Sequence, residues 1–169
     1  MPTPTSSGSL PPVAAGLLAA AAYVVPLALS YSSSPAPQHP RALLWYKSLR
    51  MPPIKPPDVA IPLAWVGIES ALAFAAYRLL RKPGSAARNR SLGWLGANVV
   101  AIGGWSRLFF GHRNLPLSTV AAATMVGSGA AYVLESRGVD GVASAAGVPF
   151  VAWVAFATVL TAAIWQRNR

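Results

Sequence analysis

Apolar residues in this chain fall in long unbroken runs, with polar residues confined to the gaps between them. Five runs, at residues 13–31, 59–77, 91–110, 115–134 and 141–165, each reach the roughly 17 to 25 residues that a helix needs to cross a hydrocarbon layer about 30 Å thick. The runs are alanine-rich and show no alternation of period two. Within lipid only helices and closed barrels satisfy their own backbone hydrogen bonds, so a helical reading prevails over strands. The pattern predicts an all-α membrane protein, a bundle of five transmembrane helices forming a single domain over residues 13–169.

The first run could also be the apolar part of a secretory signal. No Lys or Arg precedes it, however, whereas a signal peptide starts positively charged. Tyr23, Pro26 and Tyr31 suit a retained, kinked helix with an interfacial end. The serine- and proline-rich residues 1–12 read as a disordered tail. The gaps at 81–90, 111–114 and 135–140 are short, which predicts antiparallel sequential neighbours in an up-down bundle. Residues 32–58 form a longer loop, rich in serine and proline, free to fold over one end as a lid.

Composition sharpens this picture. Of 169 residues 54% are hydrophobic and only 11% charged, against about 25% charged in an ordinary soluble domain. With no cysteine, disulfides and thiolate metal sites are excluded. The net charge of +10 would suit nucleic acid, but the basic residues sit at helix ends and in loops, where they meet phospholipid headgroups, so no nucleic-acid partner is expected. Arg41, Lys47, Arg50, Lys55, Arg107, Arg113, Arg167 and Arg169 fall on the side of the long loop and the C-terminus. Arg78, Arg81, Lys82, Arg88, Arg90 and Arg137 fall on the other, with Glu135 and Asp140 nearby. Eight against six leans the long loop toward the cytoplasm.

A spaced series of aromatics and prolines carries more information than the bulk numbers. It runs Trp45-Tyr46, then the prolines 52, 53, 56 and 57 around Ile54-Lys55, then Pro62-Leu63-Ala64-Trp65. Trp105-Ser106-Arg107-Leu108-Phe109-Phe110-Gly111 and Pro149-Phe150-Val151-Ala152-Trp153 complete it. These motifs, in this order, resemble the translocator protein family, also called tryptophan-rich sensory proteins or peripheral benzodiazepine receptors. The resemblance covers about residues 45–168, and residues 13–31 fit the family's first helix by position.

The resemblance implies a five-helix bundle whose cavity opens under the first loop and takes flat hydrophobic molecules: porphyrins or haem, sterols, and benzodiazepine-type drugs. No cofactor is required; a bound porphyrin or haem is the group such a cavity would hold. It implies a mitochondrial outer membrane in a eukaryote and a bacterial membrane otherwise. The chain also departs from the family's pattern. Ile102 stands where the family has Asn three residues before the third-helix tryptophan, and Leu160 is followed by Thr161 where it has Leu-Asn. Pro149-Phe150 replaces Pro-Tyr, and Pro53-Ile54 replaces a loop Trp-Trp. Each change removes a ring or a polar handle, so ligand choice is expected to differ. The sterol motif of the fifth helix lacks its tyrosine between Leu160 and Arg167, leaving Trp165 as the only substitute.

Several residues stand out on their own chemistry. Pro149, Trp153, Ala157 and Leu160 lie four, four and three apart and share a helix face, which reads as a slot for a flat ligand or as ordinary helix packing. Trp65, Trp105 and the loop residue Trp45 complete the candidate ligand-binding set, while Trp94 reads as an interfacial anchor. Gly93, Ala97 and Ala101 form a small-residue series suited to close helix approach, on which a homodimer is expected. Glu69 is the one acid deep within a run. A charge there is costly, so it should be neutral and hydrogen-bonded, to Asn98 or a backbone carbonyl. His39 and His112 are the only histidines, and a lone loop histidine with no second ligand reads as a surface residue.

No nucleophile, base and orienting acid can be assembled within the runs, and four acids in all cannot build a metal centre. An enzyme is therefore not expected. The reading is an integral membrane receptor or carrier for hydrophobic planar ligands. The alternatives are a porphyrin-degrading enzyme that uses the same cavity and a structural membrane protein that recruits partners.

Overall fold

The computed structural model describes residues 8–169. Its helices are α1 (Pro12–Tyr31), α2 (Pro40–Ser48), α3 (Ala60–Leu80), α4 (Ala86–Ser106), α5 (Leu115–Arg137) and α6 (Gly141–Arg167), with a five-residue π-helical turn, Arg107–Gly111, continuing α4. There is no strand among the described residues. The five long helices match the five apolar runs and the fold class that they predicted.

Local chemistry sets the ends. The side chains of Ser85, Asn114 and Asp140 accept the backbone N–H groups of Arg88, Leu117 and Ala143, capping α4, α5 and α6. Pro12 and Pro40 occupy the first helical position of α1 and α2, where a missing N–H costs nothing. The expected disorder of residues 1–12 lies outside the described residues for 1–7 and does not hold at residues 8–12. There the Leu10 N–H bonds the Leu80 carbonyl at 3.0 Å, and Arg81 and Arg88 donate to the carbonyls of Leu10 and Gly8.

The bundle is a ring in which α1 packs on α3 and α4, α4 on α5, α5 on α6, and α6 back on α3. The expectation of sequential neighbours fails at one point: α1 inserts between α3 and α4, which touch each other only sparsely. Small residues explain the insertion. Ala19 and Ala22 of α1 pack with Ala75, Ala76 and Leu79 of α3, and Gly103 of α4 admits Leu29 of α1, where any Cβ would collide. Gly129 and Gly147 do the same across the α5–α6 seam, one receiving the ring of Phe150 and the other that of Tyr132.

Four of these helices, α1, α3, α5 and α6, are long and apolar enough to cross a membrane. The sequence reading counted α4 as well. Its opening turns carry Arg88, Asn89 and Arg90 and its body carries four glycines and Asn98, which lowers its hydropathy although it packs in the ring like the others. Leu17, Val24, Leu27, Leu63, Val66, Val120 and Val159 point outward and exposed, an apolar girdle that water would not tolerate and acyl chains cover.

Candidate functional site

The long first connection is not a bare loop. Prolines bracket it, but Pro40 starts a nine-residue helix, α2, that lies against the end of the bundle. Trp45 meets Phe109 edge-on at 5.5 Å between centroids, and Tyr46 meets Phe110 at 5.7 Å. Trp105, one helical turn earlier, stacks on Phe109 at 4.9 Å with planes 18° apart. Its indole N–H is committed to the Ser118 carbonyl at 2.9 Å, so Trp105 has a ring face to offer but no free donor.

The Tyr46 hydroxyl donates to Asp58, which also pairs with Lys55 at 2.6 Å. The Lys55 hydrogen bond holds the Asp58 carboxyl below the usual carboxylate range. Burial, reinforced by the nearby Asp58 charge, pushes the Tyr46 phenol up to about 12. Both groups therefore keep one ionisation state at neutral pH, and this end of the connection stays fastened.

Trp65 of α3 and Trp153 of α6 face each other edge-on at 6.3 Å and 83°. They stand beside an open apolar groove of about 720 Å³ on the α3–α6 seam, lined by Pro56, Leu63, Gly67, Ile68, Pro149, Ala152, Trp153 and Phe156 among others. Pro149 breaks the backbone ladder inside α6, and with Gly67 opposite it leaves the seam unfilled. Behind the groove, Trp65, Trp105 and Trp153 border one buried cluster of Ile68, Leu72, Ile102, Met125, Phe150 and Val154.

The seven candidate residues thus lie in two groups joined by Trp105. Pro149 and Trp153 line the groove and Trp65 touches Trp153, whereas Leu160 packs with Trp45, Phe109 and Ile164 beneath α2. Ala157 lies between the groups, its carbonyl accepting the Thr161 hydroxyl at 2.7 Å. Thr161 and Ile102, two of the four departures from the family pattern, are both buried and line no part of the groove. Pro56 at the groove's mouth and Phe156 on its wall were missed by sequence reasoning. Phe156 sits three residues beyond Trp153, a spacing that marks a shared face.

Two expectations need correction. Glu69 is buried at 9% exposure but does not bond Asn98, whose amide instead donates to the Trp94 carbonyl and accepts from Ser128. Gly93 and Ala97 face outward, but Ala101 packs inward beside the Trp105 cluster, so the small-residue series is not one continuous outer face.

The opposite end of the same seam is tied shut. Asp140, its side chain only 2% exposed, takes Arg78 of α3 through two hydrogen bonds of 2.9 Å and Lys82 at 3.0 Å while capping α6. Arg78 above all holds the Asp140 carboxyl well below the usual carboxylate range.

The sequence that builds this ring of five helices is similar to those of known proteins. The profile of the TspO/MBR family matches residues 15–166. The chain belongs to the TspO/MBR family. It is 30% identical over 127 residues to the translocator protein of Ovis aries, covering 74% of this chain and 75% of that one. It is 26% identical over 132 residues to the translocator protein of Homo sapiens, with 77% and 78% covered. Over 128 residues it is 27% identical to protein CrtK of Rhodobacter capsulatus, with 73% and 78% covered. Family and apolar helices together make this member an integral membrane protein.

Proposed function

We propose that this TspO/MBR member is a membrane receptor or carrier that seats a flat hydrophobic ligand against the Trp65–Trp153 pair. The observation that supports the reading most directly is the pair's edge-to-face geometry at 6.3 Å beside the α3–α6 groove. A planar molecule there gains apolar burial together with contact against ring faces and edges. Tetrapyrroles come first among the ligand classes and sterols second, because the sterol motif of α6 lacks its tyrosine. The relatives named translocator proteins fit a carrier, and the groove's opening on the outer face of the bundle fits entry from the membrane.

The test is a titration of purified protein with protoporphyrin IX, first in the dark and then under illumination. Saturable quenching of tryptophan fluorescence with the porphyrin spectrum intact is the expected result. A new chromophore under illumination would instead support a degrading enzyme, and no saturable quenching would remove the ligand site.

A further inference from the structure

Counted by sequence alone, the two ends of the bundle differ little in charge. Counted after pairing, they differ sharply. At the end holding Asp140, Arg78 and Lys82 are bound to that carboxylate and Arg90 to Glu135, the last at 3.1 Å. Arg81 and Arg88 donate to the backbone carbonyls of Leu10, Gly8 and Lys82. Among the described residues, Arg137 alone of that end's basic side chains makes neither an ion pair nor a hydrogen bond.

At the α2 end, Lys55–Asp58 is the only ion pair among the described residues, and Arg113 lies over the ring of Trp45 at 5.8 Å. The side chains of Arg41, Lys47, Arg50, Arg107, Arg167 and Arg169 are all exposed and make no ion pair or hydrogen bond. They share one surface, because Arg50 is held against Asn168 and Trp45 against Phe109. Helix α2 is built to match. Trp45 and Tyr46 turn inward onto the bundle, while beyond the first residue, Pro40, the exposed residues of α2 are Arg41, Leu44, Lys47 and Ser48, spaced three, three and one apart, with Leu44 67% exposed. A leucine between two cations on an outer helix face fits a surface that is apolar just below a negative layer.

We propose that the α2 end of the bundle docks on the phosphates of an anionic phospholipid leaflet, with α2 lying at the interface and Leu44 dipping below the headgroups. Charge complementarity selects this occupant, since six unpaired cations stand around one paired acid. The cations stand at the ends of helices long and apolar enough to cross a membrane, so lipid headgroups are the phosphates already within reach. The opposite end, its cations spent on its own carboxylates and carbonyls, holds no comparable surface.

The experiment uses the full chain in nanodiscs made from an equimolar mixture of phosphatidylglycerol and phosphatidylcholine, with the lipid retained on gentle extraction quantified by mass spectrometry. The wild type should retain phosphatidylglycerol in about threefold or greater excess, and high salt should erase the excess because exposed charges are screened. The variant Arg41→Gln/Lys47→Gln/Arg50→Gln should lose most of it, while Arg137→Gln at the other end should keep it. Equal retention of the two lipids by the wild type would overturn the proposal, and that arm needs no variant to fold. Enrichment unchanged in the folded triple variant, or insensitive to salt, would overturn it too. Saturable binding of polyglutamate or inorganic phosphate with no preference between the lipids would reassign the surface to an acidic protein or a free anion.

Discussion

The side-chain amide of Asn168 clasps the backbone of Arg50, its Oδ1 accepting the Arg50 N–H at 3.0 Å and its Nδ2 donating to the Arg50 carbonyl at 3.2 Å. One side chain thereby satisfies both polar groups of a residue 118 positions away and fastens the segment after α2 to the end of α6. Replacing Asn168 with Ala removes both bonds and leaves the Trp45 and Tyr46 rings as the main fastening. Tryptic cleavage at Arg41, Lys47 and Arg50 should then run several-fold faster than in the parent, because local opening governs proteolysis. Unchanged cleavage would show that the aromatic contacts alone hold α2.

The tryptophan pair makes a second expectation quantitative. Trp153→Ala removes a groove wall and a ring contact, and Trp65→Ala removes the other half of the contact. Each should weaken protoporphyrin binding by on the order of 1 kcal/mol or more, about five- to tenfold in Kd. Trp94, outward-facing at 40% exposure, is the control, and Trp94→Ala should leave affinity unchanged. Equal losses in all three variants would point to a general effect on the fold.

Glu69 offers a stability test that does not depend on any ligand. Glu69 is 9% exposed at the middle of α3 and makes no hydrogen bond among the described residues, and taking a carboxyl out of water carries a free-energy cost. Glu69→Leu keeps the volume and deletes the polar group, so the thermal midpoint in detergent should rise by several degrees. A fall in the midpoint would mean that the carboxyl is engaged in the membrane-embedded protein.

Asp140 fixes a pH dependence. Its folded-state pKa is depressed below the unfolded value of about 3.9, so the carboxylate contributes stability above that pH and loses it progressively as pH falls toward the folded value. Thermal midpoints of the parent should therefore drop below about pH 4. Asp140→Asn should lower the midpoint at neutral pH, because Arg78 and Lys82 lose the charge that they pair with, and should flatten the acid dependence. A parallel acid profile in the variant would assign the drop to other carboxylates.

The parts of the fold that were legible in the sequence are those set by long local patterns. Runs such as 141–165 are apolar for so long that no other element can hold them, and the observed helix, Gly141–Arg167, starts with the run behind the Asp140 cap and extends two residues beyond its end. Helix α2 was hidden because prolines at both ends read as loop punctuation, although Pro40 at a first helical position is compatible with a helix. The insertion of α1 between α3 and α4 was invisible for a different reason. It depends on which small residues meet across the bundle, Gly103 against Leu29 for example, and loop length carries no information about that. The site followed the same division. The motif tryptophans were readable one by one, whereas the bond between Asn98 and Ser128, which denies Asn98 to Glu69, is a tertiary fact.

The π-helical turn at Arg107–Gly111 has a consequence for how α2 is read by the bundle. In a regular α-helix, residues 109 and 110 would project about 100° apart, and only one of them could stack over Trp105. The wider turn, closed by the His112 N–H on the Arg107 carbonyl at 2.8 Å, lets Trp105 touch both rings at 4.9 and 6.1 Å. Two successive phenylalanines thus become a double socket, and the two successive rings of Trp45 and Tyr46 are the plug that matches it. Shortening the turn by one residue would restore the ordinary winding and leave one ring of the plug without its seat, so the docking of α2 is keyed to a single surplus residue in another helix.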